Sequence, residues 1–267
     1  MIIVEERLSP VEIVRRALGL YQAHATVLLG ICVAAYVAEH ALGLLWGPLG
    51  FVGSFVVDGV VDLTITLLAI AWFLDTDLPA ETALRASAGE VAALMSAMLP
   101  IWILTLAVSG GVLLAAGPAI TAFFHRFDGI TQLLLLMWGV VGLFVVFGCI
   151  ASIINMLFMF VPQAVLVEGN RWTAALDRSV RLLWSNLGTV LVVQLLLLVV
   201  FAVVPPLVFP IGKLLGGKVA VAIVGIVTQP LHALTVVLLY LDSRAQNDDL
   251  DRQDLRRTIE VLTAPAV

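Results

Sequence analysis

Six long apolar runs limit what this chain can become. Residues 25–45, 51–74, 91–116, 130–160, 187–204 and 219–241 each hold enough apolar sequence to cross about 30 Å of hydrocarbon as a helix. No water reaches backbone N–H and C=O groups in that environment, so each run must satisfy them internally, which a helix does. Hydrophobic residues make up 61% of the chain and charged residues only 12%, too little charge to cover a soluble domain of 267 residues. The expected fold is all-α: a polytopic membrane protein of six transmembrane helices in three hairpins, forming one membrane domain over residues 1–241.

Between the runs lie polar stretches with helical character. Ser9-Pro10 followed by VEIVRRALGLYQ has Ser as N-cap, Pro at the first helical position and Glu12 in the first turn, predicting an interfacial helix over 9–22. PAETALRASAG has the same flavour before the third span. In RWTAALDRSVRLLWSN, Trp172, Ala175, Leu176, Ser179, Val180, Leu182 and Leu183 share one face, opposite Asp177, Arg178, Arg181 and Ser185. That pattern predicts an amphipathic helix on the membrane surface before the fifth span. Pro205, Pro206 and Pro210 are expected to end that span. Gly139, Gly142 and Gly148 are expected to permit close helix approach in the fourth. Residues 242–267 read as a polar tail with a short charged helix.

The arginines give a direction. With the N-terminus inside and six spans, Arg7, Arg15, Arg16, Arg85, Arg171, Arg178, Arg181, Arg244, Arg252, Arg256 and Arg257 lie on the cytoplasmic side, and only Arg126, Lys213 and Lys218 lie outside. Such a bias predicts both termini in the cytoplasm. The first 22 residues carry six charged side chains and no apolar core, so the first span is expected to act as its own uncleaved targeting signal. The layout repeats three times, with Ala83-Leu84-x-x-Ser87 and Ala175-Leu176-x-x-Ser179 in equivalent places.

Ionisable residues inside the apolar runs are the candidates for chemistry. Asp58 and Asp62, spaced i, i+4, share a face of the second span with Ser54 and Thr66. An Asp at mid-membrane costs roughly 2.5–3.5 kcal/mol, so such residues usually face a bundle interior or water. They form a candidate proton or cation site, with His232, Gln229 or Glu39 as partners. The bland reading puts Asp58 near the outer interface and leaves Asp62 neutral or hydrogen-bonded. Glu39-His40 closes its span and reads as a headgroup-level pair or a proton relay. Asn155 and Gln194, isolated in apolar runs, read as interhelical hydrogen-bonding residues. Trp172, Arg178 and Arg181 at the surface, with Asp242 and Arg244 at the exit of the last helix, are candidates for lipid or partner binding. Cys32 and Cys149 lie in apolar runs without Cys or His neighbours and read as reduced thiols. No nucleophile–base arrangement, phosphate loop or metal-ligand spacing occurs, so no cofactor, metal or enzymatic activity is expected. No basic patch interleaved with aromatics suggests nucleic acid.

Two motifs carry a family resemblance. FVPQAVLVEGNRWTAALDRSVRLLWSN, through Pro162, Glu168, Gly169, Ala175, Leu176, Ser179 and Asn186, resembles the connector of the glycerophosphodiester phosphodiesterase membrane-domain family and its YciC-like relatives. PLHALTVVLLYLDSRAQNDDLD, through Pro230, Tyr240, Asp242 and Arg244, resembles that family's closing signature, with Gln246 where the pattern has Arg. The resemblance implies a six-helix bacterial inner-membrane protein without the catalytic barrel that gives the family its name. The leading functional expectation is a non-enzymatic integral membrane protein, a scaffold, assembly factor or lipid- or partner-binding module. Its partners would be membrane lipids or another membrane protein. The alternative is a small ion-coupled transporter or channel using Asp58 and Asp62. A polar, water-accessible path favours the alternative and a dry, tightly packed bundle favours the scaffold.

Overall fold

A computed structural model describes residues 8–46, 50–124, 129, 139, 142, 148–150, 152–247 and 252–264. The helices are α1 (Pro10–Ala23), α2 (Ala25–Trp46), α3 (Gly50–Phe73), α4 (Ala80–Phe124), α5 (Val161–Glu168), α6 (Thr173–Ser185), α7 (Leu187–Leu215), α8 (Gly217–Asn247) and α9 (Arg252–Thr263). A further helical stretch leads through residues 152–157 into a turn before α5. No strand occurs among the described residues. Six segments are long and apolar enough to cross a membrane: Ala25–Leu44, Gly53–Phe73, Ala80–Val108, Gly148–Glu168, Leu187–Pro210 and Val219–Asn247. The chain is an all-α polytopic membrane protein. The predicted loop with His125, Arg126 and Asp128, and most of the predicted fourth span before Gly148, lie outside the described residues.

Two of the three expected hairpins are seen whole, α2 packed on α3 and α7 on α8; in the remaining one α4 packs on α5, while most of the expected fourth span lies outside the described residues. Burial separates centre from rim. The share of each span buried inside the protein is 61% for Gly53–Phe73, 50% for Val219–Asn247 and 47% for Gly148–Glu168, against 11–22% for the other three. The last three therefore face lipid, where exposed Leu and Val are solvated by acyl chains.

α1, α6 and α9 gather at one end of the bundle, here termed the capped end. Ser9 caps α1 by accepting from the Glu12 N–H at 3.2 Å, Pro10 opens the helix, and Ile13, Val14 and Ala17 are buried. α1 packs on α7 and α8. Arg15 and Arg16 bond the Glu12 carboxylate at 2.6 and 2.7 Å and hold its carboxyl below the usual range. α6 buries Ala175, Ser179, Leu182 and Leu183 of the face read from its periodicity, whereas Trp172, placed on that face by the sequence, stands before the helix and is exposed.

Several boundaries differ from expectation. Residues 80–88 form no separate surface helix, because α4 runs unbroken from Ala80 through Pro100 to Phe124. α7 continues through Pro205, Pro206 and Pro210 to Leu215, and α8 starts at Gly217 after a single residue, Gly216 at φ +99°. Helix is the cheapest form for backbone near lipid even where proline removes a donor, since neighbouring groups can re-satisfy the freed carbonyls. α8 likewise passes Gln229-Pro230 without a break. Asp242 and Ser243, placed by the sequence at the start of a polar tail, are buried within α8. α9 is no free tail helix: Leu255 and Ile259 are buried, and it packs on α3 and α4. A Cβ at Gly142 or Gly148 would meet open space, whereas one at Gly59 would lie 2.8 Å from Met95 Cε and 3.1 Å from Leu94 Cδ2. Close helix approach thus falls at Gly59, between α3 and α4, and at Gly53, where a Cβ would lie 2.9 Å from Leu42 Cδ1 of α2.

Candidate functional site

Two polar cavities flank α3, and a buried ion cluster closes the capped end. The first cavity, about 640 Å³, opens between α2, α3 and α8 and is lined by Cys32, Tyr36, Glu39, His40, Asp58 and Gln229 among others. Asp58 is five residues past Gly53, so at about 1.5 Å per residue it lies roughly 8 Å inside the span, toward the end opposite the cap. Glu39 lines this cavity together with Asp58, close enough for the two carboxyl groups to interact. Gln229 Nε2 donates to Asp58 Oδ1 at 3.4 Å. His40, exposed, borders the same cavity and hydrogen-bonds Tyr36 at 3.2 Å.

The second cavity, about 480 Å³, is ringed by six segments: α3, α4, the stretch before α5, α5, α7 and α8. Asp62 lines it from α3, His232 from α8, Gln163 from α5, Gln194 from α7 and Asn155 from the stretch before α5. Asp62 is nine residues past Gly53, roughly 14 Å along the axis and close to mid-membrane. Trp102 and three methionines supply apolar wall, and Trp102 is fixed by Phe55 at 4.4 Å between ring centroids. Thr66 is buried and donates to the Asp62 carbonyl at 2.7 Å.

The four candidate ion-site residues are therefore divided between two chambers. Glu39 and Asp58 share one; Asp62 and His232 share the other. On a helix, positions i and i+4 differ by about 40° in direction and one turn in height. Here that offset is enough to aim the two aspartates into different spaces. Cysteine at position 58 in a protein lacking Cys32 and Cys149 is expected to react with an impermeant maleimide added from the side opposite the cap. Absence of labelling there, with a control cysteine at the exposed position 40 reacting, rules out an open first cavity.

At the capped end the two motifs, far apart in sequence, meet on one carboxylate. Glu168 ends α5, and Gly169 follows in the left-handed conformation at φ 63°, a C-cap that turns the chain into α6. Arg178 Nε donates to both Glu168 oxygens at 3.0 and 2.9 Å. Tyr240 Oη donates to Glu168 Oε1 at 2.7 Å, Asn170 Nδ2 donates to Oε2 at 2.8 Å, and Arg244 Nε lies 3.5 Å away. These elements are pinned further by Ser179, whose hydroxyl donates to the Leu157 carbonyl and accepts from the Phe160 N–H. Asp242 accepts from the Leu8 N–H at 3.0 Å and from Gln246 Nε2 at 2.6 Å, tying the chain before α1 to α8.

The surface candidates separate accordingly. Arg178 and Arg244 belong to the Glu168 cluster. Arg181 is 66% exposed and pairs with Asp177 one turn away at 2.8 Å. Trp172 is 63% exposed and sits at φ 53°, a backbone region that costs a bulky residue on the order of 1–3 kcal/mol. Glu168, Tyr240, Ser179 and Gln163 were not among the sequence's candidate site residues. The first three lie in the two resemblance motifs; nothing in the sequence singled out Gln163. Comparison of the chain with protein-family models, curated proteins and solved structures finds no match.

Proposed function

We propose that this chain is a small ion-coupled transporter, with Glu39 and Asp58 as a proton-binding pair and Asp62 as the charged group of a separate substrate chamber. The reading rests on the two polar cavities set against α3, one reaching the surface and the other near mid-membrane. A scaffold has no need of them, and carboxylates there carry an insertion cost. Two carboxyl groups lining one cleft repel when both are ionised, so Glu39 and Asp58 suit holding and exchanging a proton with the open cleft. One helical turn separates Asp58 from Asp62, about 6 Å between side chains. At an effective dielectric of 20, unit charges at that distance interact by about 3 kcal/mol, within the range of useful coupling between sites.

The arginine distribution and the two motifs support a bacterial cytoplasmic membrane with both termini inside, which makes the capped end cytoplasmic. A second reading, a lipid- or partner-binding module at that end, is favoured by the strained, exposed Trp172 that follows Arg171 and by the exposed Arg181 further along α6. The two readings diverge in a direct measurement. Full-length protein in liposomes adsorbed on a solid-supported membrane is expected to give a charge-displacement transient after a pH jump, and Glu39→Gln/Asp58→Asn is expected to abolish it. A wild-type response equal to that of protein-free liposomes overturns the transporter reading.

A further inference from the structure

The decisive side chain is Gln163. It is 3% exposed and lines the second cavity beside Asp62. Its Nε2 donates to Thr66 Oγ1 at 3.3 Å, and the Thr66 hydroxyl donates onward to the Asp62 carbonyl at 2.7 Å. A hydroxyl has one proton, already committed, so it can only accept from Gln163. That order fixes the amide, with nitrogen toward Thr66. Gln163 Oε1 is left buried, with no hydrogen-bond partner among the described residues. An unsatisfied buried acceptor costs about 1–3 kcal/mol, and no described residue supplies the donor, so a bound molecule that donates there would recover that cost.

What remains is the class of donor. A carboxylate and an orphan carbonyl, with the amides of Asn155 and Gln194 lining the same cavity, select a cation that can also donate a hydrogen bond or a polarised C–H. The chamber, about 480 Å³, is of small-molecule size rather than ion size. The described residues bring no three His, Cys, Asp or Glu side chains within reach of one metal ion. Trp102 and Phe158 line the same space, and aromatic faces attract alkylammonium groups, most strongly when desolvated.

We propose that the cavity bounded by Asp62, Gln163, Asn155, Gln194 and Trp102 binds a compact organic ammonium ion, its charge on Asp62, its polar hydrogen on Gln163 Oε1 and its hydrocarbon against the aromatic wall. This names the substrate class of the transporter reading and rests on it for its consequence, although binding is measurable without transport.

The test is calorimetric titration of full-length protein in nanodiscs with choline and with dimethylbutanol, its uncharged carbon isostere. Choline is expected to bind saturably and the isostere not to bind. Asp62→Asn and the near-isosteric Gln163→Met, each checked for folding by its thermal midpoint, are expected to weaken choline binding at least about tenfold, or 1.4 kcal/mol. Equal binding of the isostere, unchanged affinity in both variants, or no saturable choline binding overturns the proposal. Displacement of choline by sodium chloride at matched concentration also overturns it, as it reassigns the site to inorganic cations. Failure here leaves the pH-jump current intact if the chain moves protons with another substrate, so the two readings fail separately.

Discussion

Glu168→Ala is expected to destabilise the protein by about 3–5 kcal/mol, the cost of breaking a buried ion pair and leaving its partner charged. The side chains concerned are Glu168 at 14% exposure and Arg178 and Arg244 at 16% each. Removing the carboxylate leaves two guanidinium groups facing one another and deprives the Tyr240 hydroxyl of its acceptor. It also unfastens three elements at once, since the donors come from α6, α8 and the turn between α5 and α6. Glu168→Gln keeps an acceptor and is expected to lose less. The control is Asp177→Ala, which breaks the exposed Asp177–Arg181 pair and should cost well under about 1 kcal/mol. Thermal unfolding of the three variants in one detergent decides it: if Glu168→Ala melts with Asp177→Ala, the cluster is ornamental.

The contrast between those two pairs shows what periodicity reports and what it leaves out. Arg178 and Arg181 fall on the same polar face of α6 by any helical wheel, and sequence reading treated them alike. Only the fold brings Glu168 back across the Gly169 turn to meet Arg178, while Arg181 finds its own Asp177. The same holds for Ser179. It lies on the apolar face with Ala175 and Leu182, which already implied burial, but its partners, the Leu157 carbonyl and Phe160 N–H, belong to a turn that hydropathy cannot see. The six spans were legible because lipid allows so few backbone solutions. Their ends were not: prolines at 205, 206 and 210 signal a stop in water, and helix persists through them here.

The intramembrane carboxylates were legible as costly residues but not as members of two chambers. Polar residues dispersed one per run, such as Asn155, Gln163 and Gln194, carry no periodic signal. They are brought onto one cavity from three separate segments, a consequence of tertiary packing alone. Asp58 and Asp62 illustrate the opposite error. Their i, i+4 spacing suggested a single site, and the neighbours contributed by α2 on one side and by α5 on the other divided them, with α8 bordering both.

Asp62→Asn is expected to raise stability while removing choline binding, a sign opposite to that of Glu168→Ala. An Asp near the bilayer centre costs roughly 2.5–3.5 kcal/mol, and an isosteric amide keeps the shape while shedding the charge. Asp62 is half-buried beside a cavity rather than sealed in protein, so part of that cost is already relieved, and a gain of about 1 kcal/mol is the expected size. Stabilisation on loss of function is the signature of a strained binding group, whereas a structural carboxylate loses stability when neutralised. The measurement is unfolding of wild type, Asp62→Asn and Asp62→Leu in the same micelles. A clear loss of stability in Asp62→Asn would mean that the carboxylate holds the helices together, and the second chamber would then be a packing defect around a structural residue. A gain there, together with lost choline binding, leaves the cost of Asp62 explained only by what it binds.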